Sequence, residues 1–110
     1  MQNGIRGSVI LMFEPTKPFY MTRAISEELP VEHQQFILQY IFEHHQQLND
    51  YLQIFEFYME NDQQWLIQRQ EEPERETTIA IHLVETGPIH RKVWVMDQID
   101  HVMILFPKDY

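Results

Sequence analysis

Residues 50–76 read DYLQIFEFYMENDQQWLIQRQEEPERE, two strands joined by a polar turn and followed by an acidic segment around one proline. Tyr51 to Met59 is apolar or aromatic on both alternating faces. Leu52 and Ile54 share one face, and Phe55 and Phe57 share the other, a pattern that suits a central strand. Asn61-Asp62 supplies the turn. From Trp65 to Gln70 the chain alternates, with Trp65 and Ile67 on one face and Gln68 and Gln70 opposite. The hairpin is clearly marked, yet it carries no catalytic constellation.

Upstream, Leu29-Pro30 announces a helix, because proline is tolerated in a first turn. The spacing predicts a helix from about Pro30 to Gln47. Its polar residues Glu32, Gln35, Gln39, Glu43 and Gln46 recur every three or four positions and form one narrow stripe. Phe36, Ile37, Leu38, Tyr40, Ile41 and Phe42 make the rest of the middle turns apolar. Phe19 to Ile25 reads as a short strand, with Ser26 as a local turn or cap residue. Downstream, Thr77 to Val84 places Ile79, Ile81 and Leu83 on one face, and Gly87-Pro88 turns the chain. Val93 to Met96 and His101 to Phe106 are two more strands, separated by a turn at Asp97 to Asp100. Short turns between successive strands predict an antiparallel meander. The fold class is α+β, one principal helix packed on an antiparallel sheet of about five or six strands. The 110 residues are read as one domain, 1–110, with residues 1–18 a flexible lead-in punctuated by Gly4, Gly7, Pro15 and Pro18.

Composition narrows the function classes. Hydrophobic residues are 44% and charged residues 23%, which argues against wholesale disorder. There is no cysteine, so disulfides, thiolate nucleophiles and cysteine metal sites are excluded. The uninterrupted apolar run Val9 to Phe13 is too short for a membrane span or a signal-peptide core. A cytoplasmic protein is the expectation. The net charge of −9 is concentrated in residues 27–76, where twelve acids face only Arg69 and Arg75. Such a segment repels a phosphate backbone, so no direct nucleic-acid binding is expected. A basic protein partner fits it, although the same acids also serve solubility.

From about Phe13 to Tyr110 the chain resembles a family of small Gram-positive bacterial proteins, the domain of unknown function 960 family. The matching features are Asp50 to Glu56, Gln70-Glu71 with Pro73-Glu74, Asp97 with Asp100-His101, and the terminal Asp109-Tyr110. Two departures stand out: the family pattern carries an acid and a glycine near Gln98-Ile99, and an acid near Lys108. The resemblance implies a cytosolic one-domain protein and brings no activity, substrate or catalytic residue. Its pattern begins near Met12-Phe13, and Arg6-Gly7 can be encoded by purine-rich codons resembling a ribosome-binding site. Either Met12 is the natural start and residues 1–11 are translated leader, or Ser8 to Phe13 is a genuine N-terminal strand.

The catalytic inventory is thin. Ser8 and Ser26 are the only serines, and neither sits in a Gly-x-Ser-x-Gly elbow. Three glycines provide no phosphate-cradling loop, and no cofactor is expected. Asp97, Asp100 and His101 are the one cluster with metal-ligand chemistry, since carboxylates and imidazole suit divalent ions. Aspartate also begins turns by accepting backbone N–H groups, which accounts for the same residues without a metal. His44 and His45 point about 100° apart on a helix and cannot chelate one ion together. The candidate recognition element is Gln70, Glu71, Glu72, Pro73 and Glu74. Pro73 fixes its own φ and biases Glu72 toward extended geometry, so the acids are displayed to a partner's Arg or Lys.

Three functions fit this inventory. The leading one is a non-enzymatic module that binds a protein partner through its acidic side. The second is a small metal- or carboxylate-dependent enzyme using Asp97, Asp100 and His101. The third is an acidic nucleic-acid mimic that occupies a basic protein. A homodimer is a further expectation. Phe36, Ile37, Tyr40, Ile41 and Leu48 cannot all face one small sheet, and burying each contributes on the order of 1.5–3 kcal/mol. The alternative cover for the helix is residues 1–25 of the same chain.

Overall fold

The structure is a computed structural model, and it describes residues 11–110. Six strands form one sheet: β1 (Phe19–Met21), β2 (Leu52–Glu60), β3 (Gln63–Gln70), β4 (Arg75–Ile81), β5 (Arg91–Asp97) and β6 (Val102–Leu105). Two helices precede the hairpin, α1 (Arg23–Glu28) and α2 (Val31–His44), and a 3₁₀ turn at His45–Gln47 prolongs α2. The α+β class, the principal helix and the strand number agree with the sequence. The sheet order is β1-β6-β5-β2-β3-β4. All neighbours are antiparallel except β1, which runs parallel to β6.

Two local readings are corrected. Residues 19–25 are not one strand. Thr22 ends β1, and its hydroxyl accepts the Ile25 N–H as the N-cap of α1, with Ser26 inside that helix rather than capping it. The strands are also not a simple meander. β2, β3 and β4 follow one another, but β5 leaves β4 and pairs with β2. Residues 82–90 carry the chain across the sheet. The Glu32 carboxylate in the first turn of α2 accepts the N–H groups of Val84, Glu85 and Thr86 and the Thr86 hydroxyl. Gln64 holds the far end, accepting from the Ile89 N–H and donating to the Ile89 carbonyl. These bonds make the crossing possible without regular structure, because they satisfy backbone groups that no strand partners.

The helix covers one face of the sheet. Tyr40 meets Phe55 edge-on, and His33 meets Phe57 the same way, at centroid distances of 5.7 and 5.0 Å. The core between them includes Ile37, Ile41, Leu48, Leu66, Val93, Val95 and Ile104. Phe13, Ile25 and Leu29, all at most 2% exposed, close the second flank of the helix. Of the five residues whose burial motivated a dimer, Ile37, Tyr40, Ile41 and Leu48 are buried within one chain, and Phe36 is partly buried. The leader reading falls on residues 1–11, which lie outside the described residues except for Leu11. Residues 12–18 are anchored. Asp97 at the end of β5 accepts the Phe13 N–H at 2.7 Å and pairs with the Lys17 ammonium at 2.7 Å, with both charged side chains nearly buried.

Among the described residues the other sheet face carries no α-helix, and Tyr110 packs edge-on against Trp94 there. Tyr58, Trp65 and Trp94 lie half-buried on this face. The reason is the register: Phe55 and Phe57 face α2, so their even-numbered neighbours face away, and their pairing partners Val93 and Leu66 follow the same alternation.

Three outcomes are expected from these contacts. Replacing Asp97 by Ala leaves the Lys17 charge unpaired against the core and frees the Phe13 N–H, so chemical denaturation will report a loss of about 3–5 kcal/mol. Ile99 has φ of 80° and is 68% exposed, a left-handed conformation that strains a β-branched residue with little burial in return. Ile99→Gly will raise the melting temperature by an amount equivalent to roughly 1 kcal/mol. The Glu32 carboxyl is held down to about 2, first by the Val84 N–H and further by Glu85 and Thr86, against an opposing desolvation. A depressed carboxyl stabilises the fold fully above its ordinary value of 4.5 and loses that contribution as pH falls toward about 2. Protection factors of the amides in residues 82–90, corrected for the intrinsic exchange rate, will therefore fall over that window, and Glu32→Gln will remove that fall.

Candidate functional site

The 71–74 turn joins β3 to β4, closing on the Gln70–Arg75 pair. Glu71, Glu72, Pro73 and Glu74 are exposed, and the Glu72-Pro73 peptide is cis. Gln70 differs from them, being 2% exposed and turned inward. It positions the turn and is not displayed with it.

The turn is held from below by a chain of buried amides. Gln70 Nε2 donates to the Pro73 carbonyl at 2.7 Å. A carbonyl can only accept, so the Gln70 oxygen must face the opposite way, where it accepts Gln53 Nε2 at 2.8 Å and the Asn49 N–H. The Gln53 oxygen accepts Gln68 Nε2 at 2.7 Å, and the Gln68 oxygen accepts the Tyr40 hydroxyl at 3.2 Å. Each amide orientation is forced by the one before it. The chain thus runs from the middle of α2, under β2 and β3, to the acidic turn. Gln53, Gln68 and Gln70 are at most 2% exposed, so a break would leave a polar group buried without a partner.

Asp50 secures the turn from the side. Its Oδ2 accepts the N–H groups of Glu71 and Glu72 at 3.2 and 2.9 Å, while its Oδ1 accepts the Leu52 N–H. Arg75 reaches back to the Gln47 side chain at 2.7 Å. The backbone is pinned, whereas the carboxylates of Glu71, Glu72, Glu74 and Glu76 form no hydrogen bond or ion pair among the described residues. A depression of about 320 Å³ lies beside them, lined by Arg69, Gln70, Glu71, Glu74, Arg75 and Glu76.

The Asp97, Asp100 and His101 cluster is arranged differently. Asp97 turns toward Lys17 and the Phe13 N–H, and its Oδ1 also accepts the Ile99 N–H as a turn-forming aspartate. Asp100 is exposed, and its carboxylate meets His101 Nδ1 at 2.6 Å. That hydrogen bond is the chief cause holding the Asp100 carboxyl below its ordinary value. Among the described residues no three His, Asp or Glu side chains converge as a metal-binding group. His44 is taken up locally, stacked on Tyr40 with Nδ1 donating to the Tyr40 carbonyl.

What sequence reasoning missed is the inward, supporting role of Gln53, Gln64, Gln68, Gln70 and Asp50. Gln68 and Gln70 alternate with Trp65 and Ile67, and polar-out is the usual sense of such alternation. Four buried glutamines on one sheet face, Gln53, Gln64, Gln68 and Gln70, reverse it. Their signal in the sequence was the length of the apolar helix stripe, which leaves Tyr40 and His33 needing polar partners across the sheet.

Comparison with known proteins agrees with the architecture. A crystal structure of a protein of unknown function from Enterococcus faecalis superposes with a TM-score of 0.76 at 19% identity, covering 90% of this chain and 95% of that one. At that identity the likeness concerns the fold alone. No curated protein matches the chain. Among the described residues no helix is long and apolar enough to cross a membrane. Residues 19–109 match the family model described as staphylococcal protein of unknown function, DUF960, and the chain belongs to that family.

Proposed function

We propose that the protein is a non-enzymatic, cytosolic interaction module that binds a basic partner protein through the 71–74 turn. The observation that supports this most is the contrast between a fixed backbone and free charges. The amide chain and Asp50 hold the turn in place, while Glu71, Glu72 and Glu74 point outward without partners. A surface needed only for solubility gains nothing from such support. A recognition element gains affinity, since a pre-ordered turn loses less entropy on binding. The carboxylates suit Arg and Lys through charge-assisted hydrogen bonds, and their field speeds encounter with a cationic surface.

Charge reversal separates the binding role from the structural one. The triple variant Glu71→Lys, Glu72→Lys and Glu74→Lys alters exposed side chains only, so its unfolding free energy will stay within about 0.5 kcal/mol of the parent. In affinity capture from the native cytosol, the parent will retain basic proteins that the variant loses. The same basic proteins retained equally by both would defeat the proposal.

A further inference from the structure

Among the described residues the sheet ends at β4, and the register fixes which backbone groups face outward from it. Asn61 and Asp62 have φ of 54° and 62°, so the β2–β3 hairpin closes with a two-residue type I′ turn. In such a hairpin the flanking residues, Glu60 and Gln63, form a hydrogen-bonded pair. Alternation then directs the backbone of Gln63, Trp65, Ile67 and Arg69 toward β2, and that of Gln64, Leu66, Gln68 and Gln70 toward β4. Their partners on β4 are Ile81, Ile79, Thr77 and Arg75. What remains are Glu76, Thr78 and Ala80, whose N–H and C=O groups point outward from the sheet. All three are exposed.

Native sheets protect such an edge with proline, lysine, a bulge or shortness. The opposite edge, β1, is only three residues long and ends at α1. β4 is seven residues long, has no proline or lysine, and pairs with β3 in unbroken register. Its near end is the 71–74 turn, and Glu76 lies on the edge itself. The open hydrogen-bonding row thus sits beside a block of four unpaired carboxylates.

We propose that the outer edge of β4 accepts an extended, basic segment of a partner protein as an added strand. This rests on the interaction reading above and specifies how the partner is held. Backbone bonds to Glu76, Thr78 and Ala80 would supply the direction, and Lys or Arg side chains at the end beside the turn would reach Glu71, Glu72, Glu74 and Glu76. Charge selects this occupant over a second copy. Two chains of net −9 pairing edge to edge would bring their own carboxylates to one seam.

The test uses the full chain, labelled with ¹⁵N, and a short synthetic peptide of alternating lysine and valine. Peptide binding will slow amide exchange at Glu76, Thr78 and Ala80 by about tenfold or more and leave the already paired Thr77 and Ile79 nearly unchanged. Thr78→Pro removes one outward N–H at a position where an edge strand tolerates proline, and it will abolish that protection. A peptide with glutamate in place of lysine will not bind. If the lysine peptide binds and is lost on charge reversal of the turn, but does not protect these three amides and is insensitive to Thr78→Pro, strand addition is overturned while the acidic-turn reading stands. No binding of the lysine peptide at all overturns strand addition outright, and capture by the charge-reversed variant then judges the turn separately. Protection of the same amides that grows with protein concentration before peptide is added would assign the edge to a second copy and overturn the basic partner.

Discussion

Four glutamine side chains lie buried under the principal helix, and the need to satisfy them governs the arrangement around them. An amide removed from water without a partner costs roughly 1–3 kcal/mol. Gln53, Gln64, Gln68 and Gln70 avoid that cost only if β2, β3, α2, the 71–74 turn and the 82–90 crossing hold one relative position. Apolar residues of similar size would fill the same space and leave the elements free to shift by a fraction of a turn. Hydrogen bonds are directional, so here the core sets orientation as well as burial. Gln64 shows the coupling most fully. Its oxygen accepts from Ile89, so His33 must donate to it through Nε2, and one side chain joins the start of the helix to the end of the crossing.

That crossing explains the strand order. After β4 the chain does not continue the meander at the outer edge of β4; it returns to the sheet beside β2. Residues 82–90 make this journey across the helix-bearing side, tied to Glu32 and Gln64. Once β5 is placed beside β2, Asp97 falls at its far end. There its carboxylate captures Lys17 and the Phe13 N–H, and Phe13 fills the flank of α2 that the sheet cannot reach. Ile37, Tyr40 and Ile41 of the apolar helix stripe are thus buried in a core built from separate parts of one chain, while Phe42 stays 44% exposed.

Most of the fold could be read from local patterns. The helix, the central strand, the Asn61-Asp62 turn and the acidic loop each follow from spacing or turn chemistry within a few residues. What escaped has a long-range cause. The sheet order depends on Glu32 meeting Val84, Glu85 and Thr86, about fifty residues apart in sequence. Glu32 looked like one member of a solvent stripe, and nothing nearby distinguished it from Gln35 or Gln39. α1 was missed for a smaller reason: Thr22 resembles a strand residue until its hydroxyl is seen to cap the helix. Of the candidate site, the displayed acids were legible, since Pro73 and the charge run forecast exposure. The support beneath them was not. A glutamine's outward or inward choice depends on partners that only the folded chain supplies.

In the proposed binding mode the two halves of the surface do different work. Exposed carboxylates in water attract a cation weakly, because solvent and salt screen them and an isolated surface pair contributes at most about 1 kcal/mol. They raise the rate of encounter and discriminate against acidic segments, but they fix neither register nor direction. Backbone groups on a strand edge do the converse: they impose spacing and direction yet read no sequence. A turn that wandered relative to β4 would uncouple the two. The amide chain from Tyr40 to Pro73 prevents this, because it ties the turn to the same sheet whose edge lies open. The buried glutamines would therefore serve recognition without touching a partner, by keeping the charges in step with the strand.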